Sequence, residues 1–151
     1  MNDRVFLDTN VLVYSLLENG SSRHAQALQL MESLKGNYLF ISTQVVNEVY
    51  VALLKHTVEE KEIETIMEKI IRLYNISATT IQTIKTGWGI RRKYKFSYWD
   101  CIIIASALEC GCSIMYSEEP ELREDFILRM RDVDLERSII VDDFEKRYGL
   151  K

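Results

Sequence analysis

Short apolar runs alternating with helical stretches constrain this chain more than any other feature. Val5-Phe6-Leu7, Tyr38-Leu39-Phe40-Ile41, Ser113-Ile114-Met115-Tyr116 and Ile139-Ile140-Val141 are each only three or four residues long. Runs this short and continuous read as strands buried on both faces. Most are separated by segments with a 3.6-residue apolar period, and parallel strands need a crossover of that kind. The expected fold is therefore α/β, a central and mainly parallel sheet with helices on both faces. At 151 residues the chain fits one domain, 1–151, with no repeat, linker or low-complexity stretch to divide it.

The local signals fill in this frame. A helix is expected over 10–17, closed by Asn19-Gly20, and a second after Ser22 with Ala25, Leu28, Met31 and Leu34 on one face. Ser42 or Thr43 caps the next helix, which carries Val45, Val46, Val49 and Leu53. Thr57 and Glu60 have capping-box spacing before Ile63, Ile66, Met67, Ile70, Ile71 and Tyr74. Residues 76–79 read as an extended link and 80–94 as a helix. Ser97 and Asp100 repeat the capping-box pattern ahead of a helix at 101–109, apolar on nearly every side and stopped by Gly111. Residues 118–129 read as loop or helix, 139–141 as a last strand, and Asp142 as the cap of a short terminal helix.

Composition narrows the function classes. Nineteen Lys and Arg against 23 Asp and Glu leave a net charge of −4, which excludes a generic basic nucleic-acid coat but permits a local basic patch. No apolar run approaches the ~20 residues that span a bilayer, and Asp8 interrupts the first run too early for a signal peptide. Cys101, Cys110 and Cys112 are few and odd in number, which suits a reducing compartment, so a cytoplasmic protein without membrane contact is expected. With His24 and His56 far away in sequence, a structural zinc site is not expected. No phosphate-cradling G-x-x-x-x-G-K-[ST] loop and no G-x-G-x-x-G turn occurs.

In an open parallel sheet, ligands gather at the carboxyl ends of the strands. Asp8 ends the first run, and Glu48 lies in the opening turns of the helix after the second. Asp100 falls in the first turn of the buried helix, while Glu118 and Glu119 follow the third run directly. Each acid has a structural alternative, since Asp8 can cap the next helix and Asp100 can complement a helix dipole. Their joint delivery from four segments to one edge is the stronger signal. Crowded carboxylates repel unless a cation neutralises them, and oxygen ligands without histidine or thiolate suit Mg²⁺ or Mn²⁺. The chemistry that follows is metal-assisted phosphodiester hydrolysis.

Phe6-Leu7-Asp8-Thr9-Asn10-Val11-Leu12 resembles the opening motif of PIN-domain nucleases. Gln44-Val45-Val46-Asn47-Glu48 is similar to their second acidic motif, Ser97-Tyr98-Trp99-Asp100-Cys101-Ile102-Ile103-Ile104-Ala105-Ser106-Ala107 to their third, and Ile114-Met115-Tyr116-Ser117-Glu118-Glu119 to their fourth. The resemblance covers about residues 4–141, and compact VapC-type toxins of toxin–antitoxin systems resemble the chain most. It implies a PIN-like three-layer α/β/α domain and a Mg²⁺- or Mn²⁺-dependent endoribonuclease that leaves a 5′-phosphate and a 3′-hydroxyl. Asp8, Glu48, Asp100 and Glu119 are then the catalytic, metal-holding acids, supported by Thr9, Asn10 and Ser117. The family usually carries aspartate where this chain has Glu119, so Glu118 is an alternative at that corner. The resemblance also implies a cognate antitoxin and a homodimer.

Two further features bear on partners. Arg91, Arg92, Lys93 and Lys95 precede the Asp100 motif, with Trp88, Tyr98 and Trp99 nearby, a combination that can grip RNA phosphates and stack a splayed base. The same cations can instead complement the end of a helix. Leu12, Tyr14, Leu16 and Leu28 exceed the evident needs of one core and suggest a partner groove. Glu59, Glu60, Glu62, Glu64 and Glu68 read as a solvated helix face, and Asp132 and Asp134 as an acidic surface loop. A non-catalytic PIN module that binds RNA or protein is the alternative function, favoured by the Glu119 departure and opposed by Asp8, Glu48 and Asp100.

Overall fold

The computed structural model describes residues 2–17, 22–117 and the strand at 127–129. Five strands form one sheet in the order β3-β2-β1-β4-β5: β1 (Arg4–Leu7), β2 (Tyr38–Ser42), β3 (Asn75–Ser77), β4 (Ile114–Tyr116) and β5 (Ile127–Arg129). β1 pairs in parallel with both β2 and β4, and β2 with β3; β5 alone runs antiparallel, on the edge beside β4. The helices are α1 (Thr9–Leu16), α2 (Ser22–Ser33), α3 (Thr43–Lys55), α4 (Glu60–Leu73), α5 (Ile81–Tyr94) and α6 (Tyr98–Glu109). The α/β architecture with a mainly parallel central sheet is the one expected.

Burial explains why the strand runs are so uniformly apolar. Val5, Phe6 and Leu7 at the centre of the sheet are all but inaccessible, packed on both faces. On α6 every residue from Cys101 to Ala107 is buried, as an all-apolar helix surface requires. α4 is the opposite case, with Ile63, Met67 and Ile70 inward and Glu60, Glu62, Glu64 and Glu68 in solvent. α5 crosses α6 closely at Gly87, where a Cβ would come within 2.5 Å of Ile102 Cδ1. Gly111 ends the α6 turn in the left-handed region at φ +66°. Cys101 and Cys112 are buried, Cys110 is half-buried, and all three are unbridged.

The structure corrects several local expectations. On α2 the inward face is Ala27, Leu30, Met31 and Leu34, while Ala25 and Leu28 point to solvent. A strict spacing of three drifts around a helix of 3.6 residues per turn, so only its later members reach the core. The Thr57–Glu60 capping box does not form. Thr57 adopts a left-handed φ of 60° and its hydroxyl donates to the His56 carbonyl, so Glu59 precedes α4 without a side-chain cap. The extended link is strand β3, recruited by pairing of Ile76 with Ile41. Residues 127–129, expected as loop or helix, form β5. The stop at Asn19-Gly20, the 139–141 strand, the Asp142 cap and the Asp132 and Asp134 loop lie outside the described residues. Among the described residues no helix is long and apolar enough to cross a membrane.

Candidate active site

Strand order fixes where a site can form. From β1 the chain steps through β2 to β3 on one side, then returns to place β4 on the other. The carboxyl ends of β1 and β4 therefore flank a topological switch point, where crossovers diverge and leave a crevice. Register Leu7↔Tyr116 sets the next residues, Asp8 and Ser117, side by side, and Asp8 N–H extends the ladder to the Tyr116 carbonyl at 3.0 Å. Asp8 is only 5% exposed. One carboxylate oxygen accepts the Ser117 hydroxyl at 2.6 Å, and the other accepts the Thr9 N–H at 2.7 Å. The same side chain thus caps α1 and faces the crevice, so the two readings of Asp8 coexist.

Glu48 arrives from β2. Ser42 ends that strand and caps α3 by accepting the Val45 N–H, which sets Glu48 in the second turn above the same edge. Its Oε1 accepts the Gln44 amide at 3.2 Å and the Thr9 hydroxyl at 3.4 Å. Thr9 thereby joins the segments carrying Asp8 and Glu48. Asp100 comes from α6, which starts at Tyr98 rather than at residue 101 because Ser97 accepts the Asp100 N–H at 3.3 Å. Only this half of the expected capping box exists. Among the described residues nothing donates a hydrogen bond to the half-buried Asp100 carboxylate, which leaves it available to a ligand.

The acids feel one another. Burial first, with the Asp100 and Glu48 charges adding to it, pushes the Asp8 carboxyl up to about 6 against the lowering effects of Ser117 and Thr9. Glu48 is also raised, by burial first, with Asp100 adding to it and the Gln44 and Thr9 bonds opposing. Desolvated carboxylates raised by like-charged neighbours favour the binding of a compensating cation. Among the described residues no Lys or Arg pairs with Asp8, Glu48 or Asp100, and no three His, Cys, Asp or Glu side chains are gathered so that they could hold one ion. A hard divalent cation nevertheless fits the donors present. Mg²⁺ is commonly held by one or two carboxylates, with water and substrate phosphate completing an octahedron.

Glu118 and Glu119, the alternatives for the fourth acid, lie outside the described residues. Asn10 is half-buried in the first turn of α1. The basic cluster divides. Arg91 donates to the carbonyls of Lys95 and Phe96 at 2.7 and 2.6 Å, tying down the end of α5. Lys95 is the left-handed cap residue there, and Lys93 lies 5.5 Å from the Tyr94 ring centre. Arg92, Lys93 and Lys95 have exposed side chains. Gln44 is the site residue that motif reading passed over. Its spacing of four from Glu48 on one helix face was the available signal.

A buried aspartate at the switch point of a parallel sheet, with two more acids from neighbouring crossovers, defines an α/β protein built around a carboxylate site. The PIN domain model matches residues 5–124, so the chain belongs to the PIN domain family, whose members are nucleases. No curated protein sequence matches it. Solved structures share its fold. The VapC20 toxin of Mycobacterium tuberculosis, which cleaves the sarcin–ricin loop, superposes with a TM-score of 0.65 at 18% identity, over 77% of this chain and 90% of that one. A toxin–antitoxin complex from Klebsiella pneumoniae gives 0.62 at 21% identity, over 81% and 89%. VapBC2 from Rickettsia felis, bound to a promoter DNA fragment, gives 0.57 at 16%, over 81% and 92%.

Proposed function

We propose that this PIN-family protein is a Mg²⁺- or Mn²⁺-dependent endoribonuclease and the toxin of a VapBC-type toxin–antitoxin pair. The observation that carries the reading is the buried Asp8, hydrogen-bonded to Ser117 and Thr9 beside Glu48 and Asp100. The fold shared with chains from a toxin–antitoxin complex and from VapBC2 supports a cognate antitoxin as partner; the homodimer is proposed from the family resemblance alone.

Asp8, Asp100 and Glu119, or Glu118 in its place, would hold the ion, with Glu48 as a further ligand or as the group that orients the water. When bound, the ion supplies Lewis-acid activation of water and charge neutralisation at the phosphate. The chain's own groups do the positioning. Ser117 and Thr9 fix both oxygens of Asp8, so that carboxylate needs no reorganisation when a ligand arrives. Gln44 and Thr9 hold Glu48, which orients the attacking water by accepting its hydrogen bond. In-line attack forms the new P–O bond as the bond to the 3′ oxygen breaks, leaving a 5′-phosphate and a 3′-hydroxyl.

The test is cleavage of total cellular RNA by the purified chain with Mg²⁺, Mn²⁺ or EDTA, beside Asp100→Asn. Discrete fragments that need metal and vanish in the variant are expected. No cleavage together with no metal uptake by calorimetry would overturn the reading and leave the non-catalytic RNA- or protein-binding module.

A further inference from the structure

Beside the acids, α3, α5 and α6 enclose a cavity of about 580 Å³ whose lining includes Thr43, Gln44, Asn47, Glu48, Tyr98 and Trp99. Its size falls within the ~300–1,000 Å³ of small-ligand sites. Glu48 belongs to both the cavity and the acidic edge, so whatever fills the cavity lies next to the reacting phosphate. Among the described residues no lysine or arginine lines it. That argues against a phosphate as occupant and for an uncharged group with faces and edges.

The walls suit such a group. Trp99 is 65% exposed and Tyr98 40%, although rings of this size gain most from burial. Both are nevertheless held in place. The Trp88 indole N–H donates to the Tyr98 hydroxyl at 3.2 Å, and the Tyr98 and Trp99 rings meet edge to face at 5.4 Å and 77°. The Gln44 amide donates weakly to the Trp99 carbonyl at 3.4 Å, linking the aromatic wall to the Glu48 wall. Thr43 and Thr79, which also line the cleft, bond to each other. Asn47 is the remaining polar group. Its exposed carboxamide has no hydrogen bond among the described residues, and it offers both a donor and an acceptor. A prepositioned aromatic face and an unused amide lining one cleft match an unpaired base, which is read by stacking and along its edge.

We propose that this cavity holds one unpaired nucleobase of an RNA strand whose phosphate lies at the acidic edge, with Trp99 as the stacking face and Asn47 as the edge reader. The assignment rests on the nuclease reading for its substrate class but is tested by binding as well as cleavage. The probes are short RNAs spanning a mapped cut site, or random-sequence RNAs if no cut is found, each with one base removed to leave an abasic ribose. Full-length Asp100→Asn chain supplies the binding measurement, with Trp99→Ala, Trp99→Phe and Asn47→Ala placed in that background. Trp99→Ala is expected to weaken binding about tenfold, the order of a base–aromatic stack, while Trp99→Phe restores most of it. One abasic position should cost the parent about as much and cost Trp99→Ala almost nothing, the mark of a direct pair. In the chain with Asp100 intact, the same substitution should raise KM more than it lowers kcat.

If the nuclease reading alone fails, no RNA is cut but the abasic dependence persists in binding. If Trp99→Ala weakens binding equally for every abasic probe, base recognition is overturned. If it leaves RNA affinity unchanged but abolishes capture of a protein segment, the cavity is a protein-docking site and the proposal also falls.

Discussion

Two aromatic pairs stand on either side of Ser97 and meet opposite fates. Tyr94 and Phe96 stack at 5.5 Å and 10°, both buried, where the α5 end joins the core. Tyr98 and Trp99 meet edge to face, largely exposed, beside Asp100 and Glu48. Sequence and composition scarcely distinguish the pairs, which lie within six residues of each other. The difference lies in what each ring has behind it. Tyr94 and Phe96 face apolar atoms from several elements, whereas Tyr98 and Trp99 sit at the opening of α6, in the wall of an open cleft where Ile84 and Ile102 meet the polar groups of Asn47 and Glu48. The first pair stabilises the fold, and the second is exposed apolar surface at the edge of a chemical site.

Substitutions on the two sides should separate stability from function. Phe96→Ala is expected to cost about 3–5 kcal/mol of unfolding free energy, read by urea titration, because the stacked partner and the surrounding core cannot fill the space. A loss under about 1 kcal/mol would erase the distinction between the pairs. Asp100→Asn, on the site side, should reduce RNA cleavage at least about a hundredfold, roughly 3 kcal/mol of barrier, with the urea midpoint unchanged. A variant that cleaves normally would remove Asp100 from the chemistry.

Asp8 sharpens the contrast because it serves both roles. Its carboxyl is raised from an ordinary 3.8 to about 6, so below pH 4 both folded and unfolded chains hold the proton and the stabilising contribution is complete. That contribution is lost as pH rises from about 4 through 6, where the unfolded chain has already ionised and the folded one must follow. Metal-free wild type should therefore become less stable across that range. Asp8→Asn should remove most of this slope, leaving the part that the raised Glu48 contributes, and be more stable at pH 7 by on the order of 2 kcal/mol, while losing any stabilisation by added Mg²⁺. A variant with the wild-type pH slope would mean another group carries it. The smallest expected effect is Trp99→Ala on stability, within about 0.5 kcal/mol by thermal unfolding; a loss like that of Phe96→Ala would make Trp99 a core residue instead.

Much of the fold was legible because its strongest elements obey a single rule. β1, β2 and β4 are apolar at every central position, and α4 and α6 have unmistakable patterns, one amphipathic and one apolar all round. Asp8 and Asp100 were placed for the same reason, since they stand at the end of β1 and the start of α6, whereas Glu48 lies in the second turn of α3. Weak local signals went astray. Thr57 has the composition of a cap, but the turn into α4 uses its hydroxyl on the preceding carbonyl. β3 has too few residues to declare itself without β2 beside it. Arg91 looked free to grip a phosphate until α5 ended with two carbonyls aimed at it.

The alternation of buried strands with crossover helices, and with it the edge at which Asp8, Glu48 and Asp100 appear, follows from residue order alone, because period and polarity are properties of residues in order. That Asp8 is buried against Ser117, 109 positions away, and that Thr9 reaches across to Glu48, follows from the folded arrangement. The same holds for Tyr98 and Trp99, which stayed at the surface while Tyr94 and Phe96 went inside. Such outcomes depend on which atoms arrive from distant segments, and hydrogen bonding and burial are settled by those neighbours rather than by the residue itself.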